Sequence, residues 1–246
     1  MKAGRTRLLL LALAGLKFSK IGVTVGSMLL SLAVYATVWG WRFAAGFVAL
    51  LFAHEMGHVG AARVRGLDIS APAFVPFVGA WIAMRGRPPD VETEAYVAYG
   101  GPFIGTLATF AVYFWARSED STLGLAVAYS GFFLNLFNLL PVSPLDGGRI
   151  TAVLTPRVWL LGVPLLLGLL IYQPSPILLV VAIIALPNVL AAWRYDPTLP
   201  ANRAYYDVPP NTRLEYTALY LGLAALLGLM TYRVHGMLAG VDQFGR

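Results

Sequence analysis

The chain has no cysteine, only three histidines and little charge: 12% of its 246 residues are Asp, Glu, Lys or Arg. Without cysteine there is no disulfide framework, no thiolate metal site and no cysteine nucleophile, and the redox compartment is left open. The scarcity of charge excludes more. A soluble domain carries about 25% charged and roughly 45–50% apolar residues; here 58% are hydrophobic and the mean hydropathy is +0.70. Such a core has no polar coat to match it, so its apolar residues must face something other than water. A soluble enzyme, a disordered chain and a nucleic-acid reader built on a basic patch are excluded, and no nucleic-acid partner is expected. The expected partner of the surface is the lipid bilayer.

What the sequence does have is long apolar runs. A hydrocarbon core about 30 Å thick takes roughly 20 apolar residues in helical form. Such runs read from Ile21 to Trp39, Phe43 to Val64, Ala95 to Ala116 and Thr122 to Leu140. Two shorter ones, Val158 to Tyr172 and Ile177 to Trp193, are split by Gln173-Pro174-Ser175-Pro176, and a last one covers Leu214 to Tyr232. The expected fold is an all-α polytopic membrane protein, a bundle of about six or seven transmembrane helices. It reads as one transmembrane domain over 1–246, with a core at about 21–150 and C-terminal helices at about 157–235. Leu8 to Leu16, too short to cross and flanked by basic residues, reads as an interfacial lead-in. Trp39, Trp41 and Trp193 fall where amphipathic rings anchor a helix at the membrane surface.

The net charge of +6 follows the topology. Lys2, Arg5, Arg7, Lys17 and Lys20 precede the first run, which places the N-terminus in the cytoplasm by the positive-inside bias. Alternation then puts nine further arginines inside, among them Arg65, Arg85, Arg149, Arg157, Arg194, Arg203 and Arg213, and only Arg42, Arg117, Arg233 and Arg246 outside. The expected location is the cell membrane, multi-pass. Ile69 to Met84 breaks the pattern: it is apolar, carries Pro72, Pro76 and Gly79, and has arginines of the same side before and after it. Its composition suits a small membrane-embedded β-hairpin, tolerated at that depth only beside protein or a water-filled cavity.

Ionisable groups inside an apolar span are costly and mark function. The second run contains His54, Glu55 and His58 in the order H-E-x-x-H. Residues four apart stack on one helical face, so both imidazoles reach one metal ion, with the glutamate close by. A catalytic zinc also wants a third protein ligand. The candidate is Asp146 in Asn135–Arg149 (NLFNLLPVSPLDGGR), where Pro141 and Pro144 end the helix and Gly147-Gly148 allow a tight turn. The topology brings His54, His58 and Asp146 to similar depth, toward the cytoplasmic side. Gly57 reads as a site of close packing against the hairpin. Asn135, one turn from Asn138, reads as a structural hydrogen-bonder, and His235 as an exposed bystander in a C-terminal tail.

The two motifs together, His54–His58 and Asn138-Leu-Leu-Pro141-Val-Ser-Pro144-Leu-Asp146-Gly147-Gly148, resemble those of the site-2 proteases, zinc intramembrane metalloproteases. The PFVGAW stretch and Gly101-Pro102 add to the likeness, which covers about Met28 to Arg149 well and the rest weakly. The resemblance implies one Zn2+ per chain held by His54, His58 and Asp146, with Glu55 as general base and acid. Asn138 would help hold substrate or the developing oxyanion. It implies a compact form without a PDZ or CBS domain, acting on single-pass transmembrane proteins within or beside their spans. A transmembrane substrate must unwind to be cut, and an added strand along Phe74 to Ile82, around Val78, Gly79 and Ala80, would hold it open. A polytopic transporter relaying protons or metal ions through the same cluster is the alternative. It accounts for the buried charge but not for Glu55 beside His54 nor for the broken helix at Asp146. An inactive scaffold is a third reading, disfavoured by the intact Glu55.

Overall fold

The structure, a computed structural model, describes residues 20–68, 72–76, 79–81 and 88–244. Helix α1 (Lys20–Trp39) is joined to α2 (Trp41–Val64) by Gly40 alone, whose φ of 80° lies in the left-handed region that a residue with a Cβ adopts only under strain. The two helices pack through Tyr35, Ala44 and Val48, with Trp39, Phe43 and Phe47 rings edge-on or stacked around them. The far end of α2 closes on Gly66 (φ 70°): its amide bonds the Arg63 carbonyl and the Leu67 amide the Ala62 carbonyl, a Schellman arrangement that satisfies the last free carbonyls.

Two short strands follow, β1 (Ala73–Val75) and β2 (Gly79–Trp81), paired antiparallel with Phe74 opposite Ala80. The neighbourhood of β1 is tied to α1. The Thr24 hydroxyl donates to the Pro72 carbonyl (2.6 Å), and the Phe74 amide donates to Ser27 Oγ (3.0 Å). Phe74 is buried and faces the Phe52 ring, while β2 approaches α2. Val78 and the 82–87 stretch lie outside the described residues, as does the Leu8 to Leu16 lead-in.

Helix α3 (Val91–Ser118) starts one turn before the apolar run because the Asp90 carboxylate caps the Thr93 amide (2.7 Å) and Glu92 and Glu94 suit the positive end of the helix dipole. Ser121 caps α4 (Thr122–Asn138) in the same way. A turn through Pro141 and Pro144 leads to the short α5 (Asp146–Thr151). A single 3-10 turn (Pro156–Val158) precedes α6 (Trp159–Tyr172), which pairs with α7 (Pro176–Trp193). The Arg194 to Arg213 stretch contains α8 (Pro200–Tyr205), and the final apolar run extends into α9 (Pro210–Phe244). His235 is therefore on a helix, exposed, with its ring 5.6 Å from that of Tyr129.

The main core joins α3, α4, α5 and α9 through residues such as Val91, Ala98, Phe132, Ile150 and Leu227. Among the described residues, five helices are long and apolar enough to cross a membrane: Gly22–Trp39, Trp41–Val64, Val91–Ser118, Pro176–Trp193 and Pro210–Gly240. Thr122–Asn138 and Pro156–Tyr172 are apolar but shorter. The chain is thus a multi-pass, predominantly helical membrane protein. Trp39, Trp41 and Trp193 are exposed at helix ends.

Candidate metal centre

Helix α2 places His54 and His58 one turn apart on its buried face, with ring centroids 4.8 Å apart. Asp146 enters from the first turn of α5, also buried. The structure brings these three together. His54 Nε2 is 3.1 Å from His58 Nε2, and Asp146 Oδ2 lies 3.2 Å and 3.3 Å from the two nitrogens. Ligand atoms of a tetrahedral zinc with bonds of 2.0–2.1 Å stand about 3.3 Å apart.

The other ring nitrogens decide which tautomer is present. His54 Nδ1 is 2.9 Å from Asn135 Oδ1, and the Asn135 amide is itself oriented because its Nδ2 donates to the Gly131 carbonyl (2.8 Å). His58 Nδ1 is 2.8 Å from the Val97 carbonyl, which can only accept. Each imidazole therefore donates from Nδ1, and in its neutral form turns its Nε2 lone pair toward Asp146. With both imidazoles neutral, three acceptors at 3.1–3.3 Å would repel one another. One divalent cation satisfies all three, with both histidines backed as metal-bound histidines commonly are.

Glycines allow this closeness. A Cβ at Gly57 would overlap the Gly100 carbonyl of α3, and one at Gly101 would overlap the His58 ring. Gly57 thus packs against α3 in place of the expected hairpin: the close backbone approach among the described residues is between two helices. Gly105 makes room for the Asn135 amide in the same manner. At the Asp146 turn, Gly147 and Gly148 have no left-handed φ; their hydrogens face the Leu139 and Val142–Ser143 backbone, where a Cβ would not fit. They serve close approach, not a special turn. The carbonyls around that turn are held by long-range donors: Tyr220 OH to Leu139 (2.6 Å) and Trp159 Nε1 to Gly148 (2.7 Å).

Glu55 is buried on α2 next to His54, within electrostatic range of His54, His58 and Asp146. It makes no hydrogen bond or ion pair among the described residues, so its carboxylate is uncommitted. Asn138 sits half-buried at the end of α4, its Nδ2 donating to the Leu134 carbonyl of its own helix (3.1 Å). Gly79 and Ala80 are in β2; Val78 is outside the described residues.

Sequence reasoning missed two partners. The Val97 carbonyl carries no side-chain signal at all. Glu94, which belongs to no motif, accepts from Arg149 Nε (3.2 Å) and from the Tyr205 hydroxyl (2.5 Å), linking α5, α3 and α8. Tyr216 OH reaches the Glu92 carbonyl (3.4 Å), so the start of α9 docks on the first turn of α3.

Residues 42–120 match the profile of peptidase family M50. A zinc metalloprotease of Methanocaldococcus jannaschii is 29% identical over 133 residues, 52% of this chain and 37% of that protein. Rip3 of Mycobacterium tuberculosis, named as a zinc metalloprotease, is 30% identical over 128 residues, 47% of this chain and 32% of that protein. EGY1 of Arabidopsis thaliana, named as a chloroplastic zinc metalloprotease, is 27% identical over 151 residues, 42% of this chain and 28% of that protein. The matched part of the chain spans about a third of the length of these relatives.

Proposed function

We propose that this chain, which carries a domain of peptidase family M50, the site-2 protease family, is a zinc-dependent intramembrane endopeptidase acting on single-pass transmembrane segments. The observation that carries the reading is the convergence of His54 Nε2, His58 Nε2 and Asp146 Oδ2, with both Nδ1 atoms already committed to acceptors. In this reading one zinc per chain is held by these three residues. Zinc, when bound, lowers the pKa of a water toward 7 and polarises a carbonyl.

The rest falls to the chain's own groups. Asn135 and the Val97 carbonyl keep the two imidazoles from turning, so both Nε2 atoms stay aimed at one point. Glu55 accepts a proton at a carboxylate oxygen from the attacking water and hands it to the amide nitrogen that leaves. Its freedom from other bonds suits that traffic. Asn138, by swinging its amide from the Leu134 carbonyl, would donate to substrate. The α1 side of the hairpin is occupied through Pro72 and Phe74, which leaves β2, with Gly79, Ala80 and the adjoining Val78, to receive an unwound segment as an added strand. The N-terminus and the metal centre are assigned to the cytoplasmic side on the arginine distribution.

The test is cleavage of a purified single-pass substrate by the full chain in detergent, with zinc stoichiometry measured beside it. Glu55→Gln is expected to retain zinc and lose cleavage by 100-fold or more, in line with the roughly 10²–10⁴-fold contribution of acid–base catalysis. Equal cleavage by both proteins would sink the mechanism. Zinc binding without cleavage of any substrate would favour transport or scaffolding. Ala80→Pro is expected to impair cleavage with zinc retained; loss of zinc as well would assign the hairpin a folding role.

A further inference from the structure

We infer that a second site, independent of the protease reading, lies where the end of α7, the start of α9 and the segment between α5 and α6 meet: a cavity for a phosphate-bearing anion, filled in the bilayer by the headgroup of an anionic lipid. The cavity measures about 290 Å³ and is walled by Arg157, Arg203, Arg213, Tyr195, Tyr206 and Asp207, with apolar residues between them. Its lining thus holds three arginines and a single acid, Asp207.

Arg157 lies within electrostatic range of the Asp196 carboxylate, while Arg203 and Arg213 form no ion pair among the described residues. Arg213 is stapled into the wall by three backbone carbonyls: its Nη1 donates to Leu154 (2.5 Å), its Nη2 to Tyr206 (3.1 Å) and its Nε to Val208 (3.1 Å). These bonds fix its plane, leave its charge uncompensated and spare two of its five N–H donors. Arg157 Nη2 donates to the Tyr195 carbonyl (3.1 Å). Arg203 is exposed and makes no hydrogen bond or ion pair among the described residues. The nearby Asp196 carboxylate spends one oxygen on the Thr198 amide (2.8 Å) and hydroxyl (2.7 Å). A preorganised guanidinium with spare donors and two flanking arginines is the donor set that binds phosphate oxygens.

The position selects the occupant. Three apolar helices, α6, α7 and α9, begin or end here, and Trp193, at 75% exposure, closes α7 beside the cavity. Aromatic rings and arginines together at helix ends mark the headgroup layer, and basic pockets between spans at that level take anionic headgroups. Leu214, next to Arg213, is 70% exposed and offers an apolar surface on which an acyl chain can lie.

The experiment is thermal unfolding of the full chain in neutral-detergent micelles, doped with phosphatidylglycerol or phosphatidylcholine, or given inorganic phosphate at matched ionic strength. Phosphatidylglycerol is expected to raise Tm above the phosphatidylcholine value by roughly 2–4 °C, the shift of about 1 kcal/mol of linked binding in a chain of this size. Arg203→Gln and Arg157→Gln are each expected to remove most of that rise, while Arg233→Gln, an exposed arginine elsewhere, keeps it. An equal rise with inorganic phosphate, lost in the same two variants, supports the site with a free phosphate as occupant. The proposal is overturned if neither anion raises Tm, if Arg203→Gln keeps the full rise, or if Arg233→Gln loses it equally.

Discussion

The α2–α3 pair and the α6–α7 pair are both apolar helices in contact, yet they are built on different rules. Between α2 and α3 the backbones meet at Gly57, Gly100 and Gly101, so closely that a Cβ at any of them would collide. Polar groups are sealed into the resulting gap. In α6, Gly168 has nothing within 4 Å of where its Cβ would be, and Leu161 and Ile171 are exposed. The first pair is held by packing against protein, the second mostly presents side chains outward. Small residues in a membrane bundle therefore differ by what stands opposite them, and only the first kind carries the metal centre.

Substitutions that treat the two pairs alike should reveal the difference. The largest effect is expected for Gly101→Val, whose side chain needs the space of the His58 ring: a destabilisation of about 3 kcal/mol in thermal unfolding, at the upper end of overpacking costs, together with loss of bound metal. Retention of both would show that α2 and α3 can separate without harm, and would erase the distinction. Asn135→Leu acts through the His54 ring. It removes the acceptor that orients His54, and metal affinity measured by competition with a chelator is expected to fall 10–100-fold while the helices stay folded. The smallest effect belongs to Gly168→Ala, expected to leave metal binding unchanged and to stabilise by about 0.5–1 kcal/mol through helix propensity alone. A destabilisation there would mean that α6 is packed as tightly as α3.

Much of the site was legible because its information is local. The i, i+4 spacing of His54 and His58 guarantees a shared face, and two prolines before Asp146 guarantee a break that lets a carboxylate approach. The roles of the glycines were half legible: Gly57 announced close packing, but its partner on α3 lies more than 40 residues on, and Gly147-Gly148 read as turn formers although their φ values are ordinary. Asn135 was visible as a polar residue in an apolar run, not as the acceptor for a histidine 81 positions away. The start of α9 was set too late because Pro210 and the polar first turn hide a helix that begins before its apolar stretch.

By itself, the sequence determined that this protein lives in a membrane, where its apolar helices run, and that one of them carries two histidines on a single face with a glutamate close by. Those properties depend on composition and on a period of 3.6 residues, which the chain expresses wherever it folds. Only the tertiary structure decided that Asp146 stands 3.2–3.3 Å from both Nε2 atoms, that Asn135 and the Val97 carbonyl hold the rings, and that arginines of the C-terminal helices line one cavity. Each of those is a contact between segments tens of residues apart, set by how closely helix backbones approach, and no local pattern encodes that distance.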